Sequence, residues 1–218
     1  MWSSEPVPFD PMEKTLHRVY EQTQQSDKRR EYLMFHEYPL EGKPPMMTHL
    51  FENKQKERII AAKGAPEAIL NVCTLPEQEK ERIRVLIREF GLQGYRVLGV
   101  AGTDFKGEDF PKRQQEFEFG FIGLVVFYDP PKKGIDEVFR QVYDAGIKVK
   151  VITGDNADTT KSIAQQAGIV NTAEIADGKE LIKYTEEQLM RAAEKKGLVY
   201  PDVPRSEISR CECTEKTR

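Results

Sequence analysis

A short β-branched run followed directly by a helical pattern is the segment that most restricts the fold of this chain. In VKVITGDNADTTKSIAQQAGIV, Val149–Ile152 predict a buried strand, and residues 157–167 predict a helix that stops at Gly168. The polar residues Thr153–Asn156 join the two. Open α/β sheets bind ligands where a strand meets a helix through such a turn, and the free amides of the helix start favour an anion. The alternative is that one polar residue only caps the helix.

The second half of the chain, from residue 119, has an alternating strand–helix pattern. FGFIGLVVFYD is a nearly continuous apolar run that ends on Asp129, as buried parallel strands do. A helix over Ile135–Ala145 follows, and then the segment described above. This β-α-β-α order predicts a parallel sheet with right-handed connections.

The first half, residues 1–118, mixes strands and helices in a different order. Asp10-Pro11 signals the start of a helix within Phe9–Tyr20, and two strands follow around the charged turn Glu52–Glu57. A helix that begins near Pro66, a long amphipathic helix over Pro76–Phe90 and a strand over GYRVLGVAGTDF complete this half. The pattern predicts an antiparallel α+β unit.

The composition is that of a soluble globular protein. The 218 residues are 32% charged with a formal net charge of −3, which does not indicate a nucleic-acid partner. No apolar stretch approaches the roughly 18–20 residues that span a bilayer. Cys73 stands alone and Cys211-x-Cys213 has no partner cluster, so we expect a reducing setting and no metal site.

Three motifs in order carry a resemblance to a known family. They are KGAPE at Lys63–Glu67, DPP at Asp129–Pro131 and TGD at Thr153–Asp155, supported by FDPMEKTL, EYPL and GYRVLGVA. Together they resemble the cytoplasmic part of P-type cation-transporting ATPases of the calcium-pump-like branch, up to about Leu198. The resemblance implies an antiparallel α+β nucleotide-binding domain over 1–118. It also implies part of a haloacid-dehalogenase-like (Rossmann-like) phosphorylation domain over 119–199.

The resemblance implies an ATP site whose adenine side lies in the first domain. Lys63, followed by Gly64, resembles the lysine at the mouth of the adenine pocket, and Glu13 resembles the acid that contacts the adenine edge. Arg96 resembles the arginine that reaches the phosphates. Where the calcium-pump branch offers an aromatic, an arginine and a lysine, this chain offers Leu40, Lys43 and Met47. His36 and His49 flank this region, although lone histidines are more often surface or core residues than ligands.

The phosphate side of the implied site lies in the second half. Thr153 resembles the hydroxyl donor of the phosphate site, with Gly154 and Asp155 beside it, and Asp129 resembles the acid at the hinge between the domains. The family's phosphorylated Asp-Lys-Thr-Gly-Thr string and its Mg²⁺-binding Gly-Asp-Gly-x-Asn-Asp string are not in this sequence. The resemblance therefore implies a fragment on the cytoplasmic side of an intact pump, beside its membrane and actuator domains. It would bind ATP with its Mg²⁺ but would be inactive alone.

Two other functions stay open at this point. One is a non-catalytic nucleotide-binding or regulatory module that reuses these domains. The other is a standalone dehalogenase-like phosphohydrolase, for which Asp129 is the strand-end candidate nucleophile, although Pro130-Pro131 does not suit a phosphate-cradling loop.

The tail 200–218 does not resemble the family. From Tyr200, a reading frame shifted forward by one nucleotide permits TRMFPEAKFRVVNALKK, which matches the expected family segment. On the hypothesis of a frameshift, this tail is mobile and removable without loss of stability.

Overall fold

The structure, a computed structural model, describes residues 1–23, 27–105, 107, 109–149, 151–153, 157–170, 172, 175–177, 184–185, 187–188 and 198–200. These residues form two compact units. The first comprises Met1–Ile87 and Val97–Phe127, and the second groups Arg88–Arg96 with the described residues from Tyr128 onward.

The residues described up to Phe127 form three helices and five strands. They are α1 (Pro11–Thr23), β1 (Tyr32–Glu41), β2 (Met46–Asn53), β3 (Arg58–Gly64), α2 (Pro66–Val72), α3 (Glu77–Leu92), β4 (Arg96–Thr103) and β5 (Gly120–Phe127). Single 3₁₀ turns at Lys28–Glu31 and Gln114–Glu116 lie in the connections. The predicted helices and strands of the first half are confirmed, and β1 is a strand that the pattern did not predict.

The strands form one sheet in the order β1-β2-β3-β4-β5. The pairs β1–β2, β2–β3 and β3–β4 are antiparallel, which confirms the predicted architecture. In this register Met47 lies opposite Lys63, and His49 lies opposite both Ala61 and Glu37. Because side chains alternate between the two faces of a strand, Met47 and His49 share one face with Lys63.

The main core lies on the other face of the same sheet. Leu50, Ile60 and Ile69 are each no more than 1% exposed and belong to one buried cluster. Ile69 comes from α2, so this short helix covers the sheet on that side. The strand β2, the second in the sheet, is consequently buried on both faces over its first six residues.

The position of β5 differs from the one that the sequence predicted for it. This strand was predicted to open the parallel sheet of the second half, but it pairs beside β4 in the first sheet. Phe119, just before it, is 1% exposed within the main core, and Phe121 packs against that core. The compact unit accordingly ends at Phe127. A continuous apolar run indicates burial on two sides without indicating which sheet receives it, which is why the sequence misplaced this strand.

In its described residues, the second unit contains short parallel strands and two further helices. They are α4 (Ile135–Asp144), β6 (Val151–Ile152), α5 (Ala157–Gln166), β7 (Ile175–Asp177) and β8 (Leu198–Tyr200). Both β6 and β7 pair with β8 in parallel, in the order β6-β8-β7, and of these three strands only β6 belongs to the predicted β-α-β-α pattern. Tyr200, predicted as the first residue of the tail, is the last residue of β8, and residues 201–218 lie outside the described part of the chain.

The helix α5 has the face and the end that its sequence predicted. Thr160, Ala164 and Ala167 are buried at 7%, 3% and 6% exposure. Gly168 adopts a φ of 77°, and the Ile169 amide donates to the Ala164 carbonyl at 2.9 Å. This is the left-handed stop that a glycine after a helix provides.

Candidate functional site

Lys63 lies on β3 with its side chain turned into the protein. The residue is 8% exposed, which is unusual for a lysine because burying an unpaired ammonium is costly. Its ammonium donates a hydrogen bond to Oε1 of Glu13, a residue 50 positions away in the sequence. The two predicted adenine-side residues are therefore in direct contact.

The start of α1 holds Glu13 in place. The Asp10 carboxylate accepts from the amides of Met12 at 2.8 Å and Glu13 at 3.0 Å, which is the helix start that Asp10-Pro11 predicted. Glu13 is 6% exposed, and its other carboxylate oxygen, Oε2, is buried without a hydrogen-bond partner in the described structure. Lys63 is therefore the main compensation for this buried charge.

The electrostatic surroundings of Lys63 work in two directions. Burial lowers the pKa of its ammonium below the ordinary value, while the carboxylates of Glu5 and Asp10 act to raise it. Glu13, in direct contact, acts in the same direction as these two carboxylates. The ammonium of Lys63 is therefore a desolvated cation, and the neighbouring carboxylates stabilise its charged form.

Gly64, also predicted to contact the nucleotide, has a packing reason of its own to be glycine. An added Cβ would lie 2.5 Å from the Pro45 carbonyl oxygen and 2.6 Å from the Met46 Cα. Both are backbone atoms, which cannot turn away as a side chain could. The close approach of β3 to β2 thus requires glycine here, with or without a ligand.

Apolar and aromatic groups complete the face of the sheet around Lys63. Met47 and Phe51 are each 7% exposed, and the Trp2 ring contacts Phe51 edge-on with ring centroids 5.2 Å apart. Of the three residues predicted to replace the family's pattern, Met47 joins this face, whereas Leu40 is 64% exposed and Lys43 is exposed. The chain segment before α1 therefore covers part of the face that contains Lys63.

Arg96 and Asp129 belong to a different compact unit from Glu13 and Lys63. Arg96 begins β4, Asp129 follows β5, and both are exposed and grouped with the second compact unit. Their proposed contacts with a nucleotide stay predictions.

The predicted phosphate residues are only partly described. Thr153 directly follows β6 and is half-buried, and α5 begins at Ala157. The strand-to-helix connection is thus confirmed on both sides of the motif. Gly154 and Asp155 lie outside the described residues.

The structure also brings together a group that the sequence did not predict. Ligand atoms of Glu5, Glu37 and His49 all lie within 4.8 Å of one another. The alternation of β2 places His49 two residues from Met47 on the Lys63 face. That spacing was the signal from which its burial could have been found.

No helix in the described part of the chain is both long and apolar enough to cross a membrane.

Comparison with known proteins gives a family match over residues 9–134, described as P-type ATPase, cytoplasmic domain N. The calcium-transporting ATPase of Bacillus subtilis is 28% identical over 175 residues, covering 75% of this chain and 20% of that protein. The sodium/potassium exporting P-type ATPase cta3 of Schizosaccharomyces pombe is 33% identical over 144 residues, covering 62% and 14%. The human sodium/potassium-transporting ATPase subunit alpha-4 is 31% identical over 148 residues, covering 60% and 14%. The chain thus spans a fifth or less of the length of these relatives.

Proposed function

The chain belongs to the family of P-type ATPase cytoplasmic N domains, and from this premise we propose that it is the ATP-binding part of a cation-transporting ATPase. The rest of the pump, including its transport activity, its membrane and actuator domains and its place at the cytoplasmic face of a membrane, belongs to the same proposal. The names of the relatives include both calcium-transporting and sodium/potassium-transporting proteins, so we assign no ion to this chain.

The contact between Glu13 and Lys63 is the observation that carries the proposal. Two residues that the family resemblance assigns separately to the adenine site meet across 50 positions of sequence. A nucleotide site requires an apolar slot for the base and cations for the phosphates. Lys63 supplies a desolvated cation, and Met47 and Phe51 supply apolar area on the same face.

Access for the base requires the covering segment to move. Ser3 and Ser4 are buried at 3% and 4% exposure, and Trp2 packs on Phe51. We expect ATP to displace part of this segment and to take the place of Glu13 beside the ammonium. Displacement makes the binding free energy of ATP less favourable, because the contacts of this segment with the sheet are lost.

The phosphate side of the proposal rests on Arg96, Asp129, Thr153, Gly154 and Asp155. In this proposal Arg96 contacts the phosphates, Asp129 contacts the ribose or the hinge, and the TGD residues support the transferred phosphoryl group. Mg²⁺ arrives with the nucleotide, and no residue of this chain is assigned as its ligand. Because the sequence contains no Asp-Lys-Thr-Gly-Thr string, we expect binding without hydrolysis.

A titration with Mg-ATP tests the proposal. Trp2 is the single tryptophan of the chain, so displacement of the segment before α1 changes the intrinsic fluorescence directly. We expect a dissociation constant roughly in the high-micromolar to millimolar range, because only part of the site is present. Steady ATP hydrolysis by the pure protein, or no saturable response at millimolar Mg-ATP, contradicts the proposal.

A variant tests whether the Glu13–Lys63 pair takes part in the binding. Loss of one charge-assisted contact costs about 1.5–3 kcal/mol, or roughly a 10- to 150-fold weaker affinity. The double substitution Lys63→Met with Glu13→Gln removes the cation without leaving a buried unpaired carboxylate. Lys56→Met is the control, because its side chain is 80% exposed on the turn between β2 and β3. Thr153→Ala should change binding little, since its role is with the phosphoryl group during transfer.

A further inference from the structure

His49 is a fully buried residue whose ring has no hydrogen bond. It is 0% exposed, and neither Nδ1 nor Nε2 has a partner in the described structure. Buried polar atoms are nearly always hydrogen-bonded, because an unsatisfied one costs about 1–3 kcal/mol. The edge contact with Phe51, at 6.2 Å between ring centroids, does not satisfy a ring nitrogen. Both nitrogens of this imidazole therefore lack the partner that a buried ring nitrogen normally has.

The carboxylates of Glu5 and Glu37 both lie near the His49 ring. Glu37 lies opposite His49 in the β1–β2 register, and its Oε1 is 3.9 Å from His49 Nε2. This distance is too long for a hydrogen bond. Glu5 approaches from the segment before α1, where its carbonyl oxygen contacts His17 Nε2 at 2.9 Å. Strand pairing and this main-chain contact thus position both acids without using their carboxylates.

We propose that Glu5, Glu37 and His49 form a binding site for a divalent transition-metal cation, with zinc as the ion that the donor set favours. An imidazole nitrogen with two carboxylate oxygens is a donor set that zinc accepts. Two ligands about 2.1 Å from a tetrahedral zinc lie roughly 3.4 Å apart. The three ligand atoms, all within 4.8 Å of one another, reach that spacing through small side-chain movements. Water or a further ligand fills the fourth position.

The charges of the cluster also match a divalent cation. Two carboxylates and a neutral imidazole carry a charge of −2 in total. Lys63 is a cation near the site, because it interacts electrostatically with Glu5. Lys63 pairs directly with Glu13, so binding of a metal by the Glu5 carboxylate does not break that ion pair. The proposal does not depend on nucleotide binding.

Isothermal titration of the full chain with zinc chloride tests this site. The chain carries Cys211→Ser and Cys213→Ser, so that these two thiols, as potential zinc ligands, do not contribute to the titration. We expect one saturable zinc site per chain. Glu37→Gln should weaken the affinity about tenfold or more, since even the loss of an outer-shell partner costs 10- to 100-fold. Glu41→Gln is the matched control, an exposed acid on the same strand outside the cluster.

The ring resonances of the histidines provide a second readout. Zinc should shift those of His49 and leave those of the exposed His36 unchanged. His49→Gln should abolish the site. If that variant does not fold, Glu37→Gln alone tests the site. The Glu37 side chain is 39% exposed and glutamine has nearly the same size, so this substitution leaves no cavity. Absence of saturable zinc binding, equal affinities of Glu37→Gln and Glu41→Gln, or unshifted His49 resonances each overturn the proposal.

Discussion

Removing the ammonium of Lys63 should destabilise the first compact unit through the carboxylate that it leaves behind. In Lys63→Met the apolar stem is kept and the charge is lost, so Glu13 stays at 6% exposure with neither oxygen compensated. Breaking a buried pair by removing one partner costs about 3–5 kcal/mol. The acids Glu5 and Asp10, which act on Lys63, then also repel Glu13.

Protonation sets a limit on this loss. A buried glutamate can escape its penalty by taking up a proton, which at pH 7 costs about 3.7 kcal/mol for a carboxyl with an ordinary pKa of about 4.3. At pH 5 the same step costs only about 1 kcal/mol. The destabilisation of Lys63→Met should thus be about 3–4 kcal/mol at pH 7 and should shrink towards 1 kcal/mol at pH 5. The partner variant Glu13→Gln has the opposite dependence, because its stranded ammonium loses its proton more easily as the pH rises.

Urea unfolding followed by Trp2 fluorescence measures these losses, since this ring packs on Phe51 of the first unit. The double variant, with both charges removed, should lie within about 2 kcal/mol of the wild type, far from the sum of the single losses. Lys56→Met should change stability by less than about 1 kcal/mol, because its ion pair is exposed. A loss below 1 kcal/mol for Lys63→Met at pH 7, or additive single losses, refutes the reasoning.

Three further outcomes follow from particular contacts. Gly64→Ala should cost about 1–3 kcal/mol by overpacking β3 against β2, whereas Gly123→Ala on β5, where an added Cβ meets nothing within 4 Å, should cost clearly less in the same denaturation assay. Burial raises the pKa of the Cys73 thiol to about 11, so its thiolate fraction at pH 8 is roughly 0.1% against about a quarter for an ordinary thiol. In the Cys211→Ser, Cys213→Ser chain, the thiol should react with a disulfide reagent at least about tenfold faster in urea than in buffer, and equal rates contradict its burial. The hydrogen bond from Arg29 lowers the pKa of Asp27 to about 2, so its stabilisation is present above pH 4 and is lost as the pH falls towards 2. Asp27→Asn should therefore cost about 0.5–1 kcal/mol at pH 6, a modest value because the pair is partly exposed, and less at pH 3.

The sequence predicted best what depends on near neighbours along the chain. Asp10-Pro11 marks the start of α1, Gly168 ends α5, and the charged turn Glu52–Glu57 joins β2 to β3, as observed. Each of these is a local matter of capping, φ angles or turn residues, and needs no knowledge of the rest of the fold.

Predictions that depended on distant contacts were less successful. The apolar run of β5 was correctly read as a strand but was placed in the wrong sheet, because either sheet could have buried it. Gln114 gave no signal at all, yet it is fully buried and donates to the carbonyl of Met46 at 2.9 Å while accepting from Thr48 at 2.9 Å. A polar side chain can be buried only when the fold supplies its partners.

The family was therefore determined by the sequence alone, through motifs whose order and spacing can be read without coordinates, and the same motifs predict the adenine-side residues. The tertiary structure decided the environment of those residues. Only folding brings Glu13 against Lys63 and His49 close to two acids, because strand register and the position of the segment before α1 set which charges lose their water. The free energy of a charge depends on that loss, and no spacing in the sequence records it.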